Sequence, residues 1–379
     1  MVQKIVFIIL YLIIILFLFF LLYLMQNRWY GYLALFGLAV GVVFMFSESL
    51  TWNHAGERFL VLILVACLGF GITFVSRENL SVSYRAHLIS SIIRQVILSP
   101  SGTVASGTAK ESHWQVPAGF RRTEVQLSHA TLEFLSGPDA TKNNTLIFQF
   151  HGGAYVSAMS DSYRDVAVCL IKKTGIAHVA TLDYRTAPEY VYPAALEDAL
   201  EAYQYLLDQG YKGENILFFG DSAGANLALA TALYLRDHAM PLPKALALSS
   251  PWIDLADQGE SYQQNLYRDV MFGSKPGWDP KTAGVEKTYA GSADVYDPYL
   301  SPVYAEYHDF PPVLISVGSY EMLLSDSTTL HAKLQAAGRI SELHVYEGLY
   351  HNFPEIYGDW FPEGQDAWRQ FERFLSEHA

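Results

Sequence analysis

Gly220-Asp221-Ser222-Ala223-Gly224 follows the apolar run Ile216 to Phe219 and opens onto a helix-like stretch from Ala225 to Arg236. A serine at such a strand-to-helix corner, with small residues two positions either side, presents its Oγ on a tight turn, the G-x-S-x-G nucleophile elbow. The chemistry this suits is acyl transfer. It needs N–H donors for an oxyanion, a base to take the serine proton and an acid to orient that base. Candidates follow in the chain order this chemistry uses on parallel sheets. His151-Gly152-Gly153-Ala154-Tyr155 comes straight after the apolar run Leu146 to Phe150, and glycines there let backbone N–H groups approach a carbonyl oxygen. A plain glycine turn at a strand end is the other reading. Downstream, Val313 to Val317 ends in Gly318-Ser319-Tyr320-Glu321, which puts a carboxylate just past a strand end. Glu321 is the candidate acid, and Asp326 is the alternative; either could also be a carboxylate favoured by a helix start. His351, after the segment Leu343 to Tyr346, is the candidate base. His87, His113 and His238 have no such context and read as surface or packing residues.

The set of motifs resembles the hormone-sensitive-lipase family of α/β-hydrolases, in particular arylacetamide-deacetylase-like serine esterases. It comprises His151-Gly152-Gly153, Asp183-Tyr184-Arg185-Thr186-Ala187-Pro188-Glu189, Pro193-Ala194-Ala195-Leu196-Glu197-Asp198, Gly220 to Gly224 and Asp297-Pro298-Tyr299-Leu300-Ser301-Pro302, in family order over roughly residues 80 to 379. The resemblance implies Ser222 as nucleophile, His351 as base, the carboxylate at the fourth position of the Gly318 motif as acid, and oxyanion donors from Gly153, Ala154 and Ala223, with Gly152 also placed in the oxyanion hole. Two positions depart from the family pattern. Ala154 stands where many members have a third glycine, which keeps the N–H and crowds the wall. Glu321 replaces the more frequent aspartate. The stretch from Asp183 to Glu189 reads as a fixed turn.

Such a site has to be carried by strands. Thr123 to Leu127 and Thr131 to Leu135 suit an opening hairpin. After it, apolar strand signals at Leu146 to Phe150, Ala177 to Leu182, Ile216 to Phe219, Ala245 to Ser249, Val313 to Val317 and Leu343 to Tyr346 alternate with helical stretches. That order predicts a mostly parallel sheet with helices on both faces, with the candidate residues at strand ends, where such sheets build their sites. Leu88 to Leu98 has near-helical spacing and is expected to pack over the body. An aromatic-rich insertion with Tyr262, Tyr267, Phe272, Trp278 and Tyr289 precedes the Glu321 loop. It reads either as ordinary packing or as a lid and acyl-pocket wall.

Ahead of this body, residues 6 to 25, 29 to 46 and 59 to 75 are apolar runs close to the ~17–25 residues that span a bilayer as helix. The expectation is therefore a membrane region over 1–76 with three transmembrane helices. A catalytic domain over 77–379 would follow, with cap elements near 80–100 and 256–300. A signal peptide is the rival for the first run, which exceeds the ~7–15 residues of such a core. Counting Arg28, Arg77, Arg85 and Arg94 against Lys4 and Arg58 leans towards a cytoplasmic catalytic domain in a multi-pass protein. Lys4, Arg28 and Arg58 against Glu48 and Glu57 leave +1 on residues 1–75, so of the chain's net charge of -13 the remainder carries -14. An acidic body argues against nucleic acid as partner. Cys67 and Cys169 are the cysteines, and one lies inside an apolar run, so no disulfide framework is expected.

The expected function is that of a membrane-anchored serine carboxylic-ester hydrolase for small lipophilic esters, working through Ser222, His351 and Glu321 with no metal or organic cofactor. The alternatives are a deacetylase or amidase of acylated lipids, sterols or xenobiotics, and a non-catalytic small-molecule receptor on the same fold, whose mark would be loss of the base. Nothing in the sequence sets the oligomeric state.

Overall fold

The computed structural model describes residues 2–25, 27–47, 55–97, 112–138, 140, 145–274 and 285–379; Trp278, and Leu98 at the end of the expected helix, lie outside them. The chain divides into two compact units, Met1–Ser99 and Pro100–Ala379.

The first unit holds four helices: α1 (Val2–Leu24), α2 (Trp29–Ser47), α3 (Ala55–Val75) and α4 (Tyr84–Ile97). Phe7, Leu18, Leu22, Leu35, Leu62 and Val65 form an apolar cluster shared by α1, α2 and α3. The expectation of three membrane spans is corrected here. Among the described residues only Val6–Leu24 is long and apolar enough to cross a bilayer; Trp29–Gly41 and Phe59–Val75 are apolar helices in the 10–17 residue range. A span takes about 20 consecutive, predominantly apolar residues as helix. This contradicts a multi-pass integral membrane topology, and the cytoplasmic orientation counted from it goes with it.

The second unit is built on an eight-stranded sheet in the order β1-β2-β4-β3-β5-β6-β7-β8. The strands are β1 (Arg121–Gln126), β2 (Thr131–Ser136), β3 (Leu146–Phe150), β4 (His178–Asp183), β5 (Ile216–Asp221), β6 (Ala245–Ser249), β7 (Val313–Gly318) and β8 (Ser341–Tyr346). β2 runs antiparallel to both β1 and β4, and every other pair is parallel. The central strands β3, β5, β6 and β7 are buried at every residue, which is why they read as continuous apolar runs and not as alternating ones.

Successive side chains leave a strand on opposite faces, and each face of this sheet has its own helical cover. Phe148, Phe218, Leu246 and Ile315 point into the larger cluster, which includes Leu206 of α6 (Ala194–Asp208) and Leu229 of α7 (Ala223–Asp237). Ile147, Leu217, Phe219, Ala247 and Leu314 point the other way. There they meet Leu170 and Ile171 of α5 (Asp161–Thr174) together with Trp368, Phe371 and Phe374 near the C-terminus. Between β6 and β7 the chain inserts the short helices α8 (Ser261–Gln264) and α9 (Val285–Ala290) of a helical cap. The chain then closes with α10 (Leu324–Ala336) and α11 (Pro362–Glu377). Both readings of the aromatic insertion find residues. Tyr289 stacks on Tyr155 at 3.7 Å in the core, Tyr267 is exposed, and Phe272 reaches the site described next.

Candidate active site

Ser222 sits between β5 and α7 with φ 53° and ψ -121°, a backbone region that costs a non-glycine residue about 1–3 kcal/mol. Close packing enforces it. Ser222 N–H donates to Ser249 O at 2.9 Å, and Ser222 O accepts the N–H groups of Asn226 and Trp252, each at 3.2 Å. Gly220 and Gly224 make the corner possible: a Cβ on Gly220 would lie 2.6 Å from Gly224 O, and one on Gly224 would overlap the carbonyl oxygens of Phe150 and His151. Backbone cannot yield as a side-chain tip can. The same absence of side chains sets the N-terminus of α7, with its unsatisfied N–H groups, directly against the end of β3.

That end of β3 is the His151-Gly152-Gly153-Ala154 loop. Gly153 (φ 104°), Ala154 (φ 54°) and Tyr155 (φ 60°) all take positive φ, and the turn closes with Val156 N–H and Ser157 N–H donating to Gly153 O, each at 3.0 Å. Among the described residues, the N–H groups of Gly153, Ala154 and Ala223 meet no acceptor in the protein. Gly152 differs. Its N–H donates to Asp221 Oδ1 at 3.1 Å and so is already engaged, and a Cβ there would collide with Asp221 Oδ2 and the Tyr163 hydroxyl. The His151 ring is fully buried and stacks on Tyr184 at 4.1 Å. Burial holds its pKa below the usual histidine value, and its Nδ1 lies 2.7 Å from Gly152 O. Burial thus favours its uncharged form, and the ring braces the loop.

Glu321 and His351 are brought together from the ends of β7 and β8. His351 Nδ1 lies 3.0 Å from Glu321 Oε2, with both side chains buried. The second carboxylate oxygen accepts Ser250 Oγ–H at 2.8 Å and Gly318 N–H at 2.5 Å. Burial pushes the Glu321 carboxyl up, and the hydrogen bond and charge of His351 pull it back. Asp326 lies elsewhere: its Oδ2 accepts the N–H groups of Ile253 at 2.7 Å and Asp254 at 2.9 Å, and Tyr262 OH at 3.2 Å. It braces the loop after β6 and makes no hydrogen bond to the imidazole.

Asp221 and Asn352 tie the two halves together, and the sequence reading assigned neither a role. Asn352 Nδ2 donates to Asp221 Oδ2 at 2.7 Å, linking the residue before Ser222 to the residue after His351. Asn352 N–H donates to Ser250 Oγ at 3.1 Å, which joins this link to Glu321. Burial pushes the Asp221 carboxyl up to about 6, against the opposing influence of His351 and of donors from Tyr163, Gly152 and Asn352. The available signals were the aspartate inside the elbow pentapeptide and the amide next to the histidine, though neither shows its partner 131 positions away. A serine on a strained corner, a carboxylate-bound imidazole and unengaged N–H groups are the parts that acyl transfer uses. Among the described residues no group of three or more His, Cys, Asp or Glu side chains could hold a metal ion.

Residues 147–355 match the family described as alpha/beta hydrolase fold. An esterase of Acinetobacter venetianus is 34% identical over 231 residues, which are 61% of this chain and 74% of that protein. An acetyl-hydrolase of Streptomyces hygroscopicus is 34% identical over 243 residues, covering 64% of this chain and 78% of its own. Among solved structures, an esterase from the bacterial hormone-sensitive lipase family superposes with a TM-score of 0.69 at 28% identity, over 78% of this chain and 98% of that one. The strand order, the glycine-packed elbow and these likenesses agree: the chain belongs to the alpha/beta hydrolase fold family and is a serine hydrolase of its hormone-sensitive-lipase branch, with esterase activity on small esters.

Proposed function

We propose that Ser222, His351 and Glu321 carry this esterase activity, with the N–H groups of Gly153, Ala154 and Ala223 as the oxyanion donors. The observation that carries the reading is the 3.0 Å contact between His351 Nδ1 and a buried Glu321 carboxylate, tied through Asn352 and Asp221 to the elbow serine. His351 takes the Ser222 proton at Nε2 as Oγ bonds to the ester carbonyl carbon, and the carbonyl π electrons move onto the oxygen, where the N–H groups receive them. Collapse of the tetrahedral adduct breaks the bond to the alcohol oxygen, which leaves with the proton from His351. Water attacks the acyl-enzyme in the same way and releases the acid. Glu321 fixes the Nδ1–H tautomer and stabilises the imidazolium. Gly152 has a different part, which is to admit the Asp221 carboxylate.

The substrate class is a small lipophilic carboxylic ester with a short acyl group. A relative in Streptomyces hygroscopicus is named an acetyl-hydrolase, and one in Mycobacterium tuberculosis, 31% identical, a carboxylesterase/phospholipase. The ring of Phe272 against His351 supplies an apolar wall beside the reacting atoms. The helix Val6–Leu24 serves as a single membrane anchor for a catalytic domain that lies beyond it in sequence; a protein fully released from membranes by alkaline carbonate would contradict the anchor. The test of the activity is hydrolysis of p-nitrophenyl esters of graded chain length by the wild type and by Ser222→Ala. The expected result is highest kcat/KM on the shortest acyl chains and loss of turnover in the variant. Undiminished turnover by Ser222→Ala overturns the reading.

A further inference from the structure

The insertion between β6 and β7 makes a set of contacts that neither packing nor a lid accounts for. Asn265 N–H donates to Ser261 O and Asp269 N–H to Asn265 O, so Ser261, Asn265 and Asp269 recur at helical spacing of four and share one face. All three side chains are buried, and each makes hydrogen bonds to the loop that carries Glu321. Ser261 Oγ lies 2.5 Å from Met322 O and accepts Ser325 N–H at 2.8 Å. Asn265 Nδ2 donates to Ser319 O at 3.0 Å and to Glu321 O at 2.7 Å, either side of the acid's own peptide. Asp269 Oδ2 accepts Met322 N–H at 2.8 Å, immediately after it.

Asp269 has a second hand. Its Oδ1 accepts the N–H groups of Met271 at 2.8 Å and Phe272 at 3.0 Å, and the Phe272 ring lies 4.4 Å from the His351 ring. One carboxylate therefore holds both the backbone beside Glu321 and the residue packed on the imidazole that Glu321 binds. We propose that Asp269 and Asn265 are positioning residues of the hydrolase: they clasp the Ser319–Met322 loop so that Glu321 meets His351 Nδ1, and Asp269 sets Phe272 against the imidazole. Their action is on the reacting geometry and not on substrate affinity. This rests on the reading of Glu321 as the acid.

A cycle of four proteins tests it with p-nitrophenyl butyrate: wild type, Asp269→Asn, Glu321→Gln and the double variant. Supporting partners of this kind are worth about 10–100-fold in activity. Asp269→Asn puts an N–H donor where Met322 or Phe272 needs an acceptor, so it should lower kcat by about that factor with KM within about twofold. The part that acts through Glu321 is already lost when Glu321 is Gln, so in that background Asp269→Asn should add less than about threefold, the remainder being its hold on Phe272. If Glu321→Gln is severe and Asp269→Asn still multiplies it in full, or if the loss appears in KM, the clasp is wrong and the acid assignment stands. If Glu321→Gln alone leaves turnover intact, the acid assignment fails and takes the clasp with it. Should Asp269→Asn not unfold cooperatively, Asn265→Ala in the same cycle decides, with the same non-additivity expected from a smaller loss of about three- to tenfold.

Discussion

Around Ser222 the chain is held by backbone against backbone. Gly220 and Gly224 leave no room for a side chain, and Ser222 is gripped by the peptide groups of Ser249 and Trp252. Around Glu321 the chain is held by side chains sent from distant segments: Ser250 on the carboxylate itself, Asn265 and Asp269 on the peptides either side. The difference teaches what each end tolerates. A backbone corner fails when any atom is added. A side-chain clasp keeps the fold when one member changes, and loses the orientation of the group it holds.

The largest effect should come at the side-chain end, on turnover. Glu321→Gln keeps the shape and removes the charge that stabilises the imidazolium, so kcat should fall about 10³–10⁴-fold, with the melting temperature little changed by comparison. A loss under tenfold would erase the distinction between a carboxylate that acts on the base and one that only braces the fold.

At the backbone end the expected effect is on stability. Gly224→Ala forces a methyl group into the carbonyls that end β3 and should destabilise by about 3 kcal/mol, as overpacking does. Denaturant unfolding would show it, and a variant as stable as the wild type would mean that the elbow has slack which this packing denies.

Asp326→Asn sharpens the contrast further. It is buried, its pKa is raised by that burial, and one of its oxygens, Oδ2, serves Ile253, Asp254 and Tyr262. The amide keeps an oxygen for those donors and sets its NH2 in the place of Oδ1, which has no partner among the described residues, so a buried unpaired NH2 should cost about 1–3 kcal/mol, with kcat changing less than tenfold. A greater loss of turnover here than in Glu321→Gln would exchange their parts.

The smallest effect lies at the link between the two ends. An unfolded aspartate titrates near ~3.9, whereas Asp221 is pushed up to about 6. The folded chain thus keeps its proton longer, and the stabilisation is complete below the unfolded value and lost as pH rises through the folded one. Between pH 4 and 7 the wild type should therefore lose on the order of 1–3 kcal/mol that Asp221→Asn does not lose. Parallel pH dependences in urea unfolding would remove Asp221 from this account.

What could be read from the sequence follows the same division. Strands announced themselves because β3, β5, β6 and β7 are apolar at nearly every position: Leu146–Phe150 and Ala245–Ser249 lie where the runs do. β5 continues past Phe219 through Gly220 and Asp221, which pair with Leu248 and Ser249, a ladder that composition does not reveal. Ser222, Glu321 and His351 stand in contiguous motifs and were legible as candidates. Ser250, Asn265, Asp269 and Asn352 were not, since their meaning lies in hydrogen bonds to residues 53 to 131 positions away. Run length misled at the N-terminus. A run read from composition alone does not fix how much of it forms one spanning helix, and among the described residues only Val6–Leu24 is long and apolar enough to cross a bilayer.

The central claim is that one serine, at the strained corner between β5 and α7, is the nucleophile. A fluorophosphonate forms a covalent bond with the oxygen of an activated serine, and the modified residue can be found by peptide mass spectrometry. The prediction is a single adduct on Ser222 in the wild type, none in Ser222→Ala, and much slower labelling in Glu321→Gln, because the base that activates the serine is no longer held by charge. An adduct on another serine, or undiminished labelling of Ser222→Ala, would contradict the account.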